Sequence, residues 1–155
     1  MDKKDRSILA LLQTDAKLSI SDIAERVNLS TTACWKRIQC LNEGGYLRQQ
    51  VWLLNSKMLG LGVTVFMSIK TSHHDLQWLR KFALGVRDLP EVLEFYRMSG
   101  DTDYLLKIVA PDIAGFDRVY KKLIQIAELF DVSSSFAMEE IKYTTALPLD
   151  YTHTA

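Results

Sequence analysis

The sequence predicts an α+β protein in two parts, helices first and then a sheet with helices of its own. Three observations carry this. Up to about residue 43, apolar side chains recur at helical spacing and break only at turn residues. From Val63 onward, short runs of β-forming residues alternate with two strongly periodic helical stretches. Between the two parts, residues 55–62 are punctuated by Gly60 and Gly62, which marks a boundary. The expected domains are therefore 1–54 and 55–155, the second ending in a C-terminal tail. A chain of 155 residues with 48% hydrophobic and 25% charged residues suits one soluble domain or two small ones.

Residues 2–13 form the first expected helix, with Asp2 or Asp5 at its N-terminus and Ile8, Leu11 and Leu12 as its apolar stripe. Residues 19–27 form the second. Ser19 is its N-cap, Asp22 stands at the capping-box position, and Ile20, Ile23, Ala24 and Val27 face inward. Asn28 sits where the chain must turn sharply, and Asn tolerates a left-handed backbone. Ser30 caps the third helix. Cys34, Ile38 and Leu41 fall at i, i+4 and i+7 and make its buried face. Gly44 and Gly45 end it. Residues 46–54 are rich in β-formers and are expected to make a short pair of strands, a wing or a hinge. Two short amphipathic helices joined by a tight turn are the pattern of a helix-turn-helix, whose second helix enters the DNA major groove. The first part is thus expected to be a three-helix, winged helix-turn-helix domain.

The outward residues of that helix are Thr31, Thr32, Trp35, Lys36 and Gln39. Hydroxyls and amides suit mixed base readout, and Trp35 can stack on sugar or meet a thymine methyl. Arg37 lies toward the flank, where a phosphate contact and an intradomain ion pair are equally easy. The bland alternative is a solvated helix face.

The second part reads in order as a strand at 63–71, a helix at 75–86, strands at 92–98 and 104–110 joined by an SGDTD turn, a helix at 112–127, and a strand at 132–141. The first helix carries Leu76, Leu79, Phe82, Ala83 and Val86 along one side; the second carries Ile113, Phe116, Tyr120, Leu123, Ile124 and Ala127. The order βαββαβ is the ferredoxin-like split motif, an antiparallel sheet with both helices on one face. Val63, Val65, Phe66, Met67 and Ile69 supply apolar side chains to both faces of the sheet, so the uncovered face is expected to pack against a second copy of the chain.

Charge and composition narrow the function classes. The formal net charge is zero, but residues 1–54 carry +2 and residues 55–155 carry −2. Residues 30–41 hold Lys36 and Arg37 and no acid, a local basic helix compatible with DNA binding. Residues 1–6 are charged, no apolar signal region follows, and no apolar run is long enough to span a membrane. A cytoplasmic, nucleoid-associated protein is expected. Cys34 and Cys40 lie six residues apart on one helix, on opposed faces, and cannot pair with each other. His73 and His74 have no third ligand at suitable spacing, so no metal site is expected. Glu139 and Glu140 are strand neighbours that point to opposite faces and make no acid–base pair. No nucleophile–base set can be assembled, so no enzyme and no cofactor are expected. The strand DYLLKIVA lacks the aromatic pattern that stacks RNA bases.

The residues also match a family. The segments DKKDRSILALLQTDAKLS, IAERVNLSTTACWKRI, LNEGGYL, SGDTDYLLKIVAPD and FAMEEIK, within residues 2–149, resemble the Lrp/AsnC (feast/famine) transcriptional regulators. SGDTDYLL and MEEIK are the more specific strings. The CWKR, FYRMSGDTDYLL and SSFAMEEIKYTTALPL stretches look most like members concerned with cysteine detoxification. One departure is that the family usually has proline just before the cysteine, where this chain has Ala33. The resemblance implies double-stranded DNA as partner, a homodimer assembling into larger rings such as an octamer, and control of amino-acid metabolism genes. It also implies a small amino-acid effector bound by the C-terminal domain at a dimer–dimer contact, with cysteine or a related thiol the first candidate. On its residues alone SGDTD is a hairpin turn. The resemblance places effector contacts there, at Gly100, Asp101, Thr102, Asp103 and Tyr104. Ser134, with Ser133 and Ser135, is a weaker candidate, and Tyr104 with Phe136 would line the apolar part of the pocket. The competing reading is an architectural DNA-binding protein whose C-terminal domain only oligomerises.

Overall fold

The computed structural model describes residues 1–72 and 76–151. The His73–His74 pair and Asp75 lie outside them. The chain forms two compact units. One comprises Met1–Leu54 together with the tail from Lys142 onward, and the other is Asn55–Ile141. The sequence predicts that the tail belongs with the sheet. It joins the helices instead, because Gln13 exchanges two hydrogen bonds with the backbone of Leu147 and Leu149 packs against the helical core.

The helical unit holds α1 (Lys3–Thr14), α2 (Ile20–Arg26) and α3 (Thr31–Glu43). Each start is capped as its sequence dictates. Asp2 and Asp5 make a reciprocal capping box on α1, Ser19 and Asp22 make another on α2, and Ser30 accepts from the backbone of Ala33 on α3. Asn28 has φ 52°, the left-handed turn expected of it, and Gly45 (φ 75°) closes α3. Ile8, Leu9, Ile23, Ala24, Val27, Cys34 and Leu41 form the core. Ile20 is the exception among the inward expectations. It is the first residue of a short helix and stays exposed.

Residues 46–54 form no strand, so the predicted wing or hinge strands are not made within one chain. A strand needs a neighbour for its backbone groups, and what holds this segment is side-chain contact. Gln50 Nε2 donates to the Ala16 carbonyl at 3.0 Å and Lys17 lies over the Trp52 ring. Val51, Trp52, Leu53 and Leu54 are all more than half exposed.

The second unit opens with one 3-10 turn (Lys57–Leu59) and continues with β1 (Val63–Lys70), α4 (Leu76–Arg87), β2 (Val92–Arg97), β3 (Tyr104–Ala110), α5 (Ile113–Ile126) and β4 (Asp131–Phe136). The four strands pair antiparallel in the order β2-β3-β1-β4, the ferredoxin-like arrangement the element order predicts. Val65, Met67, Ile69, Leu106 and Ile108 are wholly buried beneath the helices. Each contributes about 1.5–3 kcal/mol by leaving water. Trp78, Phe82 and Val86 from α4 and Phe116, Val119 and Leu123 from α5 complete this core.

Both helix stripes are rotated from the expected ones. Leu76, Ile113 and Ile124 are exposed, whereas Trp78 and Val119 are buried. At 3.6 residues per turn the exposed three lie roughly 100° from the centre of each buried stripe. The last strand ends at Phe136, not 141. The uncovered sheet face is mixed rather than apolar. Alternation along β1 sends only Phe66 outward from the five residues named. It shares that face with Leu105 and Tyr96 and with the ion pair of Lys107 and Glu94 at 3.0 Å. No described helix is long and apolar enough to cross a membrane.

Candidate nucleic-acid interface and effector turn

The candidate interface lies on α3. The Asn28 turn is closed by a backbone bond from Leu29 N–H to the Ala24 carbonyl at 2.9 Å. Ser30 then caps the helix through the N–H of Ala33 at 3.2 Å. A proline at 33 has no N–H to offer, so alanine at this position is what lets Ser30 cap the helix. With Cys34 and Leu41 buried against α1 and α2, Thr31, Thr32, Trp35 and Lys36 are exposed and Gln39 is half-buried. Trp35 is 47% exposed, which is high for so large an apolar ring. These side chains offer two hydroxyls, an indole N–H, an ammonium and an amide, the set that reads base edges and phosphates.

Arg37, a sequence candidate for the same surface, is engaged elsewhere. Its Nη1 donates to Asp2 at 2.6 Å and to Asp5 at 2.7 Å, on α1. The two carboxylates raise the guanidinium above its ordinary value. Asp2 is lowered first by the N–H of Asp5 and then by Arg37. In the sequence Asp2 and Asp5 present themselves only as helix-start residues. Their spacing of three, which puts both on one side of α1, was the available signal. Burial pushes the Cys34 thiol up, so it stays protonated, while Cys40 is exposed.

The second candidate is the turn between β2 and β3. Gly100 has φ 108°, a conformation that favours glycine. Asp101 is exposed and Thr102 half-buried. Asp103 is part of the scaffold. Its Oδ2 accepts from the N–H of Thr71 at 2.9 Å, its own N–H donates to the Ile69 carbonyl, and its carbonyl accepts from Met98 N–H. Tyr104 is buried, stacked on Trp78 at 5.5 Å between ring centroids. Ser134 and Phe136 are on the helix-covered side of β4, opposite Met67 and Val65. Tyr104 is opposite Ile69. Phe136 is therefore four residues away along the strands, about 13 Å, and two strands across. Its ring meets Phe116 instead, at 5.3 Å. One chain does not bring Tyr104 and Phe136 into one pocket. Among the described residues no group of three or more His, Cys, Asp or Glu is arranged to hold a metal.

A capped helix-turn-helix joined to a βαββαβ sheet defines a class of two-part regulators, one part for DNA and one for a small ligand. Comparison with known proteins places the chain within it. Residues 1–42 match the AsnC-type helix-turn-helix domain, and residues 64–147 match the Lrp/AsnC ligand binding domain. The chain is 49% identical to the DNA-binding transcriptional activator DecR of Escherichia coli, over 97% of this chain and 99% of that protein. A crystal structure of an AsnC family transcriptional regulator from Agrobacterium tumefaciens superposes with a TM-score of 0.95 at 54% identity, covering 99% of this chain and 100% of the other. A transcriptional regulator from Neisseria meningitidis in complex with L-Met gives 0.92 at 36% identity, covering 97% of each chain. This protein belongs to the Lrp/AsnC family and is a DNA-binding transcriptional regulator with an amino-acid-binding domain.

Proposed function

We propose that this chain controls amino-acid metabolism genes by laying α3 in the major groove and answering to one small amino acid held by its sheet unit. The observation that carries the reading is the face of α3: Thr31, Thr32, Trp35 and Lys36 are exposed together on a helix capped and anchored from behind. Lys36 takes a phosphate, and Thr31, Thr32, Trp35 and Gln39 meet base edges and sugars.

The effector contacts the Gly100–Tyr104 turn. Backbone N–H groups near Gly100 take its carboxylate and Asp101 its ammonium, a charge-assisted pair. Asp103 shapes the turn from behind through Thr71. Ser134 and Phe136 join the pocket from a second copy, since within one chain they lie away from the turn. Cysteine or a related thiol is the first candidate, supported by the likeness to DecR. The L-Met complex of the Neisseria relative supports a sulfur-containing side chain more broadly.

Calorimetry with the amino acids, paired with DNA binding, tests the whole reading. Asp101→Ala should lower effector affinity by on the order of tenfold or more, because it strips the partner from a charge, and leave effector-free DNA affinity unchanged. Heat from no amino acid, or equal heat from both proteins, would favour the architectural alternative.

A further inference from the structure

We propose that Arg37 is a positioning residue that ties the recognition helix to the start of α1, and that it takes no phosphate of the bound DNA. This rests on the DNA-binding reading of α3.

The geometry divides four carboxylate oxygens among three donor nitrogens, one of which serves two of them. Asp2 Oδ1 accepts from the N–H of Asp5 at 2.9 Å, and Asp5 Oδ2 accepts from the N–H of Asp2 at 2.8 Å. That reciprocal pair caps α1. The remaining oxygens, Asp2 Oδ2 and Asp5 Oδ1, both accept from Arg37 Nη1, at 2.6 and 2.7 Å. One guanidinium therefore closes a box that would otherwise hold two carboxylates side by side. It does so from the middle of α3, three residues after Cys34, whose buried side chain already fixes the helix against the core. Core contacts are non-directional and let a helix roll. An ion pair with two hydrogen bonds from one side sets the roll. Trp35 and Lys36 precede Arg37 directly, so that roll aims their tips.

Charge argues against a second role on DNA. A phosphate near Arg37 would also meet Asp2 and Asp5, a local sum of one negative charge. Releasing Arg37 to the phosphate would leave both carboxylates facing the backbone without their cation. Asp5 is the more enclosed of the two acids, its side chain 17% exposed, so its unpaired charge would not be relieved by water alone.

The test uses the full-length protein, a duplex selected by that protein from a random-sequence pool, and an unselected duplex, across a salt series. Lys36→Ala should reduce the slope of log affinity against log salt by about one unit, the signature of a lost phosphate contact. Arg37→Ala should leave the slope within about a third of a unit of wild type while lowering the preference for the selected duplex by on the order of tenfold. Arg37→Lys, which keeps the charge, should recover part of that preference. Asp5→Asn gives an opposite-sign check. It should weaken discrimination as Arg37→Ala does, whereas an Arg37 that served phosphate would be freed by it and bind DNA more tightly. A slope reduced by about one in Arg37→Ala, an unchanged preference in that variant, or tighter binding by Asp5→Asn would each overturn the inference. If Lys36→Ala also left affinity and slope untouched, the failure would belong to the DNA-binding reading of α3.

Discussion

Asp22 shows how single residues define the helical unit. Its carboxylate accepts from the hydroxyl of Ser19 at 2.6 Å and from the Ser19 N–H at 3.0 Å. Those bonds hold its pKa below the ordinary carboxylate value, the hydroxyl contributing most. A carboxyl whose pKa is lowered by folding stabilises the folded state above its unfolded pKa, and that contribution is lost as pH falls through the lower, folded value. The cap of α2 should therefore hold from neutral pH down to about pH 4 and weaken below it. Asp22→Asn removes the titrating group, so amide exchange within α2 should become less pH-dependent below about pH 4. Wild type and variant following the same pH curve would mean that the cap carries none of the acid response. This bonding was legible beforehand because capping is local: serine, two residues, then an acid is enough to specify it. The Arg37 pair was not, since two equal outcomes are open to a flanking arginine until α1 is placed beside α3.

Elements followed the same division between local and distant causes. Helix starts, the Asn28 turn, the order of strands and the glycine stops are written in neighbouring residues, and they stand where the sequence puts them. The faces of α4 and α5 depend on how each helix sits against the sheet, and there the buried face differs from the periodic one by part of a turn. Trp78 is buried because its ring stacks on Phe82 and Tyr104 and its indole N–H reaches the Glu128 carbonyl at 3.1 Å, partners that lie up to fifty residues away. The tail was the least legible. Nothing in TTALPL names its site, yet Gln13 donates to the Leu147 carbonyl and accepts from its N–H, as a neighbouring strand would. Leu149 adds its side chain to the core beneath. Gln13→Ala and Leu149→Ala should each destabilise the helical unit, by about 1 kcal/mol for the lost hydrogen bonds and about 2 kcal/mol for the partly buried leucine. Faster amide exchange in α1 with α5 unaffected would be the expected pattern. Equal exchange in α1 for wild type and both variants would show the tail to be dispensable there.

At the scale of the whole molecule the unburied apolar surface argues for a second copy. Phe66 is 40% and Tyr96 50% exposed on the uncovered sheet face, beside a Glu94–Lys107 pair that keeps part of that face polar. Apolar rings interleaved with an ion pair in this way are compatible with the mixed composition of a protein–protein contact. Two-fold symmetry would set the same patch against itself and present two α3 helices to one duplex, about 34 Å apart or a multiple of it. Phe66→Glu tests this sharply, because an isologous contact repeats every introduced charge on both sides of the dyad. The variant should sediment as a monomer where the wild type is at least a dimer. Its affinity for a duplex with two half-sites should fall by on the order of a hundredfold or more, since the second half-site is then no longer held at high effective concentration. Its affinity for a duplex with one half-site should hardly change, because Phe66 belongs to the sheet and not to α3. A wild type that is monomeric at micromolar concentration would refute the contact. So would a Phe66→Glu protein that remains dimeric and keeps its full grip on both half-sites, for then the second copy must be held by some other surface.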